Sequence, residues 1–236
     1  MIISIHQPEH LPWMGLISKI YHVDVFVLLD TVQYRKNYFQ NRNRICYRDK
    51  YKWITVPVKK TGLHTLIKDV LIDNAQPWRQ KYLKLLYNSY CKTPFFKQFK
   101  DNLWEIYLRP CVYLSELNIA LIKYILKVLE IDTQIFIASE FVLPVVGGGT
   151  QVVLNICKYL EAESYLSGSF GKDYLDENIL LQSGVKVRYQ DFKHPIYLQA
   201  QSPFMPSLSI IDTLFNCGAQ KTKELIKESI PDEIFI

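Results

Sequence analysis

The first thirty residues alternate between apolar runs and one polar break, in the order expected of a strand, a loop, a helix and a second strand. An apolar start at residues 1–5 meets a loop with two prolines, which end the strand. Apolar side chains then recur at helical spacing after Gly15, before a second apolar run that ends on Asp30. We expect a parallel strand pair joined by a helix, with His6 and Asp30 at the carboxyl edge where open sheets bind ligands.

The middle of the chain changes its hydrophobic period twice. A polar and aromatic stretch at 31–44 precedes two apolar arms, 45–47 and 53–58, whose alternation and polar connection predict a β-hairpin. Residues 70–72 favour one further short strand. From about residue 74 to 130, apolar side chains repeat every three or four positions between prolines, which predicts a helical segment inserted between two α/β halves.

The last third returns to the strand-helix order of the N-terminus. Its predicted strands are 134–138, 164–166 and 185–189. A helix with Thr150 as its cap follows the glycines 147–149. Ser209 and Asp212 have the spacing of a capping box, and Gly218 marks the expected end of the last helix.

Together these patterns predict an α/β fold. We expect a mostly parallel sheet built from strand-helix-strand units at both ends of the chain, with the hairpin and the helical segment in the middle. The length of 236 residues is enough to bury a substantial core, and we expect a single domain over residues 1–236.

Composition narrows the class of protein. Hydrophobic residues at 49% and charged residues at 22% are ordinary for a globular protein, whereas 16 Tyr, 12 Phe and 4 Trp suggest aromatic-walled pockets. The formal charge of +5 favours a small anionic ligand over nucleic acid. Five widely spaced cysteines without a C-x-x-C pair indicate neither a zinc site nor a disulfide framework. The chain shows no secretion signal and no bilayer-length apolar run, so we expect a cytoplasmic protein.

Several polar groups beyond the strand ends could bind a ligand. The amides and guanidinium of Gln40, Asn41, Arg42 and Asn43 suit a carboxylate, a phosphate or sugar hydroxyls, and the alternative is a solvated basic loop. The glycine-bearing loop 167–174 favours an anion at a helix start but matches no P-loop, and it could be a plain turn. Asp212 is either a helix cap or a carboxylate of the site.

Short motifs along the chain carry a family resemblance. They are His6-Gln7-Pro8 with Leu11-Pro12-Trp13, Gln40-Asn41-Arg42-Asn43, Thr55-Val56-Pro57, Tyr165-Leu166-Ser167-Gly168 with Lys172 and Tyr174, His194-Pro195, and Leu208-Ser209-Ile210-Ile211-Asp212. In this order, from residue 1 to about residue 218, the sequence resembles the WbqC-like protein family. The resemblance implies a tailoring enzyme of surface polysaccharide, such as O-antigen lipopolysaccharide, that transfers an acyl or aminoacyl group to an amino sugar or sugar nucleotide.

Under this resemblance we assign roles to the candidate residues. His6 is the general base, with Asp30 or Asp191 orienting it, and His194 is the alternative base. The substrate would be bound by Gln7, Trp13, Gln40, Asn41, Arg42, Asn43, Ser167, Gly168, Lys172, Tyr174 and Asp212. The second substrate is an acyl or aminoacyl donor of open identity. We expect no metal site and no nucleic-acid partner, and we leave a homo-oligomer open.

Two other functions stay open. Residues 7–11 faintly resemble the loop of nucleotidyltransferases of the His-x-Gly-His class, which would make the protein an ATP-dependent nucleotidyl- or adenylate-forming transferase. ATP would then be the cofactor, with His6 and His10 over its phosphates and Lys172 countering charge as pyrophosphate leaves. The third reading is a noncatalytic carbohydrate-binding protein that uses its aromatic side chains.

Overall fold

The computed structural model of the chain describes residues 1–142 and 149–235. Its main sheet has five parallel strands in the order β5-β2-β1-β6-β7. These strands are β1 Ile2–His6, β2 Val25–Leu28, β5 Gln134–Ile137, β6 Ser164–Ser167 and β7 Lys186–Tyr189. A separate antiparallel hairpin consists of β3 Arg42–Tyr47 and β4 Lys50–Thr55. The predicted α/β class and the mostly parallel sheet are confirmed.

Helices cover both faces of the main sheet. Their bounds are α1 Met14–Tyr21, α2 Trp78–Tyr90, α3 Phe96–Leu108, α4 Leu114–Val128, α5 Gly149–Tyr159, α6 Glu177–Gln182 and α7 Ile210–Lys227. On one face, α1, α2, α3, α4 and α7 share a hydrophobic core with Phe26 and Leu28 of β2. On the other face, side chains of α5 pack with Ile3 and Ile5 of β1. The central strands are therefore buried on both sides, as parallel strands require.

The order of the strands defines a switch point at β1. The connection from β1 to β2 runs through α1 on one face, whereas α5 and α6 lead to β6 and β7 on the other face. Chain segments therefore leave the carboxyl ends of β1 and β6 toward opposite faces of the sheet. The crevice between them is the usual ligand position in open α/β sheets.

The hairpin differs from its prediction in extent. The strand β3 already begins at Arg42, so residues 42–44 belong to a strand and not to the polar loop. Only Arg48 and Asp49 form the turn, and their positive φ values of 51° and 57° match a two-residue hairpin turn. The short strand predicted at 70–72 is wrong, because its residues form only isolated bridges, Val58 to Ile72 and Leu71 to Tyr113.

The predicted ends of two helices also need correction. Ser209 precedes α7, but its side chain makes no cap hydrogen bond, so the capping box is wrong. Gly218 does not end that helix but kinks it, with φ 78° and ψ 173°. Thr150 lies inside α5 and does not cap it, while Gly147 and Gly148 lie outside the described residues.

Gly218 offers a test of this kink. A Cβ at this position would lie 2.8 Å from Cε1 of Phe95, and its backbone conformation is one that only glycine adopts without strain. We expect Gly218→Ala to lower the free energy of unfolding by about 2–5 kcal/mol in a urea titration. Gly184→Ala is the matched control, since φ there is +81° but a Cβ would meet nothing within 4 Å, and it should cost about 1–2 kcal/mol. Equal losses in the two variants would contradict the steric argument.

Candidate functional site

His6 lies at the carboxyl end of β1, beside the switch point. Its Nδ1 is 3.0 Å from the carbonyl oxygen of Gln7, and because a carbonyl only accepts, Nδ1 carries the proton. Nε2 therefore keeps its lone pair, and the side chain is 36% exposed. Desolvation, followed by the positive charge of Lys19, lowers the pKa of His6 far below its usual range. The ring is neutral at pH 7.

Two further ionisable side chains lie beside this imidazole, and the sequence assigned neither of them a role. Oε1 of Glu9 is 4.0 Å from Nε2 of His6, and its Oε2 is buried without a hydrogen-bond partner. Lys19 of α1 is also buried and donates from Nζ to the carbonyl of Ile5 at 3.3 Å. Burial raises the pKa of Glu9 to about 7 against the attraction of Lys19, and burial lowers the pKa of Lys19 to about 8. Helical spacing puts Lys19 off the apolar stripe of Leu16, Ile17 and Ile20, so the hydrophobic pattern did not indicate its burial.

Gln7 and Gln40 connect this edge of the sheet to the hairpin. Nε2 of Gln40 donates to Oε1 of Gln7 at 2.5 Å, while Oε1 of Gln40 accepts from the backbone N–H of Arg35 at 2.7 Å. Gln40 is fully buried. Both ends of its amide are thus used within the protein, so Gln40 positions Gln7 instead of facing solvent.

Asn41 and Asn43 point into the protein, unlike the arginine between them. Nδ2 of Asn41 donates to the carbonyl of Val56 at 3.0 Å. Nδ2 of Asn43 donates to the carbonyls of His10 and Leu11 at 3.1 and 2.8 Å. These amides fasten the hairpin and the loop after β1. Of the predicted set of four, only Arg42 turns outward.

The other side of the switch point is formed by the end of β6. Ser167 is buried and its hydroxyl donates to the carbonyl of Gly168 at 3.1 Å. Nζ of Lys172 lies 5.1 Å from the ring centre of Tyr189, and Tyr174 is about half exposed. The predicted residues of this loop therefore lie beyond the carboxyl ends of β6 and β7.

The two predicted aspartates have separate surroundings. The carboxylate of Asp30 accepts from the N–H and the hydroxyl of Ser139 at 2.9 and 2.6 Å, which ties β2 to the segment after β5. Asp191 is exposed, and its Oδ2 lies 3.9 Å from Nζ of Lys193. Both carboxylates thus have their partners in other residues, and neither of these contacts involves the imidazole of His6.

His194 uses both nitrogens of its ring. Nδ1 donates to the carbonyl of Pro195 at 2.9 Å, and Nε2 accepts from the N–H of Ser207 at 2.9 Å. Burial lowers its pKa. Its ring lies 5.7 Å from that of Phe192, which in turn lies 5.0 Å from Trp13. Trp13 thus joins the loop after β1 to the segment that carries His194.

Asp212 sits in a second polar cluster, inside the protein. It is 1% exposed and accepts hydrogen bonds of 3.1–3.2 Å from Tyr90, Tyr197, Gln199 and Asn216. Burial raises the pKa of Asp212 to about 6, although these donors oppose the rise. The adjoining cavity of about 10 Å³ has room for a single water molecule. Asp212 therefore holds α7 to its neighbours.

His10 has a structural environment. It is fully buried, Nδ1 donates to Oδ1 of Asn118 at 2.9 Å, and Nε2 lies 2.6 Å from the hydroxyl of Tyr82. The hydroxyl of Tyr107 completes the group at 3.1 Å from Nε2. A histidine enclosed in this way does not reach a phosphate, so the placement of His10 over ATP is wrong.

Two other features are absent from the described ranges, a metal site and a membrane-spanning helix. Among residues 1–142 and 149–235, no three His, Cys, Asp or Glu side chains are grouped so that they could hold a metal ion. No helix in the same ranges has the length and apolar character needed to cross a membrane.

Comparison with known proteins identifies the family. The family model described as the WbqC-like protein family matches residues 7–224. The chain belongs to the WbqC-like protein family. This WbqC-like protein is 34% identical over 221 residues to the uncharacterized protein Rv1507c of Mycobacterium tuberculosis. The aligned region covers 92% of this chain and 94% of that protein. No solved structure is significantly similar to this chain.

The charge of Lys19 can be tested through His6 of this WbqC-like protein. Lys19→Met removes a cation that disfavours the imidazolium, so the pKa of His6 should rise by about one unit or more in an NMR titration of the imidazole. Lys186→Met is the control, since Lys186 begins β7 at the opposite edge of the sheet and is exposed. An unchanged pKa in Lys19→Met, or equal changes in both variants, would contradict the electrostatic coupling.

The raised pKa of Asp212 gives a signed pH dependence of stability. Between about pH 4 and 6 the folded WbqC-like protein holds a proton that the unfolded chain has released, so its stability falls as the pH rises through this window. Asp212→Asn cannot titrate there. The stability advantage of the wild type over this variant should therefore shrink by roughly 2 kcal/mol between pH 4 and 6 in urea unfolding. Asp191→Asn, which removes an exposed carboxyl group, is the matched control.

Proposed function

We propose that this WbqC-like protein transfers an acyl or aminoacyl group to the amine of an amino sugar, free or nucleotide-linked, for the assembly of surface polysaccharide such as O-antigen. The observation that carries the proposal is the state of His6. Its Nδ1 proton is held by the carbonyl of Gln7, and its Nε2 lone pair is available at the ligand-binding edge of the sheet. The polysaccharide context is what the resemblance to the WbqC-like family implies.

In this reaction the sugar amine attacks the carbonyl carbon of the acyl donor, and a new C–N bond forms. Nε2 of His6 takes the proton that the nitrogen releases, and the bond to the leaving group breaks with its electron pair. The imidazolium then returns the proton to the leaving group. A neutral ring is the correct starting state for this step, and Glu9, 4.0 Å away, favours the transient cation once it is ionised.

The hydrogen bonds favour His6 over His194 as the base. The lone pair of His194 already accepts the N–H of Ser207, so taking up a proton would break a bond that holds the segment 192–207. We assign the orienting role to the carbonyl of Gln7, because the carboxylate of Asp30 is engaged by Ser139 and Asp191 is exposed beside Lys193. Ser167, Gly168, Lys172 and Tyr174 would then border the substrate from the β6 side.

The function can be tested by mass spectrometry of mixtures that contain UDP-linked or dTDP-linked amino sugars with acyl-coenzyme A or aminoacyl donors. We expect one donor to add its acyl mass to the amino sugar. His6→Gln, which keeps the size and an N–H donor, should lower the rate by about 10²- to 10⁴-fold. The rate should fall because the proton acceptor is lost and not because the fold changes. The circular dichroism spectrum and the melting temperature of His6→Gln should therefore match those of the wild type.

His64→Gln is the matched control, because His64 is exposed and lies outside the site. It should leave the rate within about twofold of the wild type. Full turnover in His6→Gln would remove His6 from the mechanism. Failure of every acyl and aminoacyl donor to modify an amino sugar would overturn the proposed reaction.

A further inference from the structure

The outer face of the hairpin brings two arginines onto one aromatic ring. In the register of β3 and β4, Arg44 pairs with Trp53, and Arg42 lies two positions earlier on the same face. The guanidinium carbon of Arg42 is 4.2 Å from the ring centre of Trp53, and that of Arg44 is 5.8 Å from it. Both guanidinium groups therefore lie within cation–π distance of Trp53, close enough together to contact a single ligand.

The protein uses little of the hydrogen-bonding capacity of these two guanidinium groups. Arg42 donates from Nη2 to the carbonyl of Asn37, and Arg44 donates from Nη2 to the carbonyl of Ser207 at 3.1 Å. Nε of each arginine is enclosed without a hydrogen-bond partner. A guanidinium group has five N–H donors, and although the enclosed Nε–H cannot reach a ligand, most of the Nη donors are left over.

No carboxylate balances this pair. Among residues 1–142 and 149–235, no ion pair within 4.0 Å involves Arg42 or Arg44. Residues 31–60 contain nine Lys and Arg and one Asp, whereas the whole chain has 28 basic and 23 acidic residues. The net positive charge of the protein is therefore concentrated here, and the rest of the chain is net negative. Charge complementarity calls for an anion from outside.

The position and shape of this face indicate which anion. Gln40 lies two residues before Arg42 and donates a hydrogen bond to Gln7, which is next to His6. The arginine pair is therefore connected to the edge of the sheet that carries His6. Tyr51 lies beside the pair, 5.0 Å from the guanidinium carbon of Arg44, and the partly exposed rings of Tyr51 and Trp53 offer flat surfaces on which a base can stack. Two stacked guanidinium forks beside exposed aromatic rings suit phosphates joined to a nucleoside.

We propose that Arg42 and Arg44, supported by Trp53, bind the two phosphates of a nucleoside diphosphate, the activating group of a sugar nucleotide. This set of residues differs from the predicted one. Asn41 and Asn43 face inward and are not part of the site, whereas Arg44 and Trp53 are added to Arg42. That the ligand carries an amino sugar rests on the proposed function. Recognition of the diphosphate does not.

Binding of two simple probes, UDP and inorganic pyrophosphate, to the full chain tests this site by titration calorimetry. We expect the wild type to bind both probes, and Arg42→Gln and Arg44→Gln each to weaken binding about tenfold. Arg44→Lys keeps the charge but loses the planar fork, so it should weaken binding almost as much as Arg44→Gln. This variant separates a shaped site from general attraction between charges.

Arg48→Gln is the matched control, since it removes the same charge from the exposed hairpin turn and should keep the affinity within about twofold. His6→Gln should bind UDP like the wild type even though it loses turnover, so this proposal and the proposed function can fail separately. Absence of binding of either probe to the wild type would overturn the site. So would equal losses in Arg48→Gln and Arg44→Gln, or binding to phosphatidylglycerol vesicles without binding of UDP.

Discussion

Parallel pairing of β1 on both of its edges is the constraint from which the rest of the structure follows. Its neighbours β2 and β6 are reached by crossovers on opposite faces, so both faces must be covered by helices. Even the polar Ser4 in this strand is fully buried, and its hydroxyl donates to the carbonyl of Leu166 at 2.6 Å. The same arrangement leaves the carboxyl ends of β1 and β6 diverging, with His6 on one side and Ser167 on the other.

Burial divides the polar residues of this WbqC-like protein into two kinds. His10, Asn43 and Asp212 are buried with their hydrogen bonds satisfied, and such groups hold loops and helices in place because an unpaired buried group is costly. Glu9 and Arg42 instead keep enclosed atoms without partners. Glu9 and Arg42 lie at the two ends of the path from the end of β1 to the outer face of the hairpin, which is where both proposals place a substrate.

The sequence was a good guide to elements and a poor guide to side-chain direction. Apolar runs predicted the strands of the sheet because parallel strands are buried on both faces, and the position of His6 at a strand end followed from them. The polar run that includes Arg42 predicts a loop, because its buried side chains, Asn41 and Asn43, are polar amides. The alternation of apolar and polar residues that marks a strand is therefore missing from its sequence. If this run is assigned as a strand, its side chains alternate between two faces, which puts Asn41 and Asn43 on one face and Arg42 on the other.

The covering of the hairpin by the last third of the chain affects how the protein is made. The backbone N–H of Ser209 donates to the carbonyl of Arg44 at 2.8 Å, and Tyr51 donates to the carbonyl of Pro206 at 3.1 Å. During synthesis from the N-terminus, the hairpin thus emerges well over a hundred residues before the segment that fixes it. Until Ser209 has been synthesised, the contacts that fix the hairpin are missing, so the proposed anion site is completed late in the synthesis of the chain.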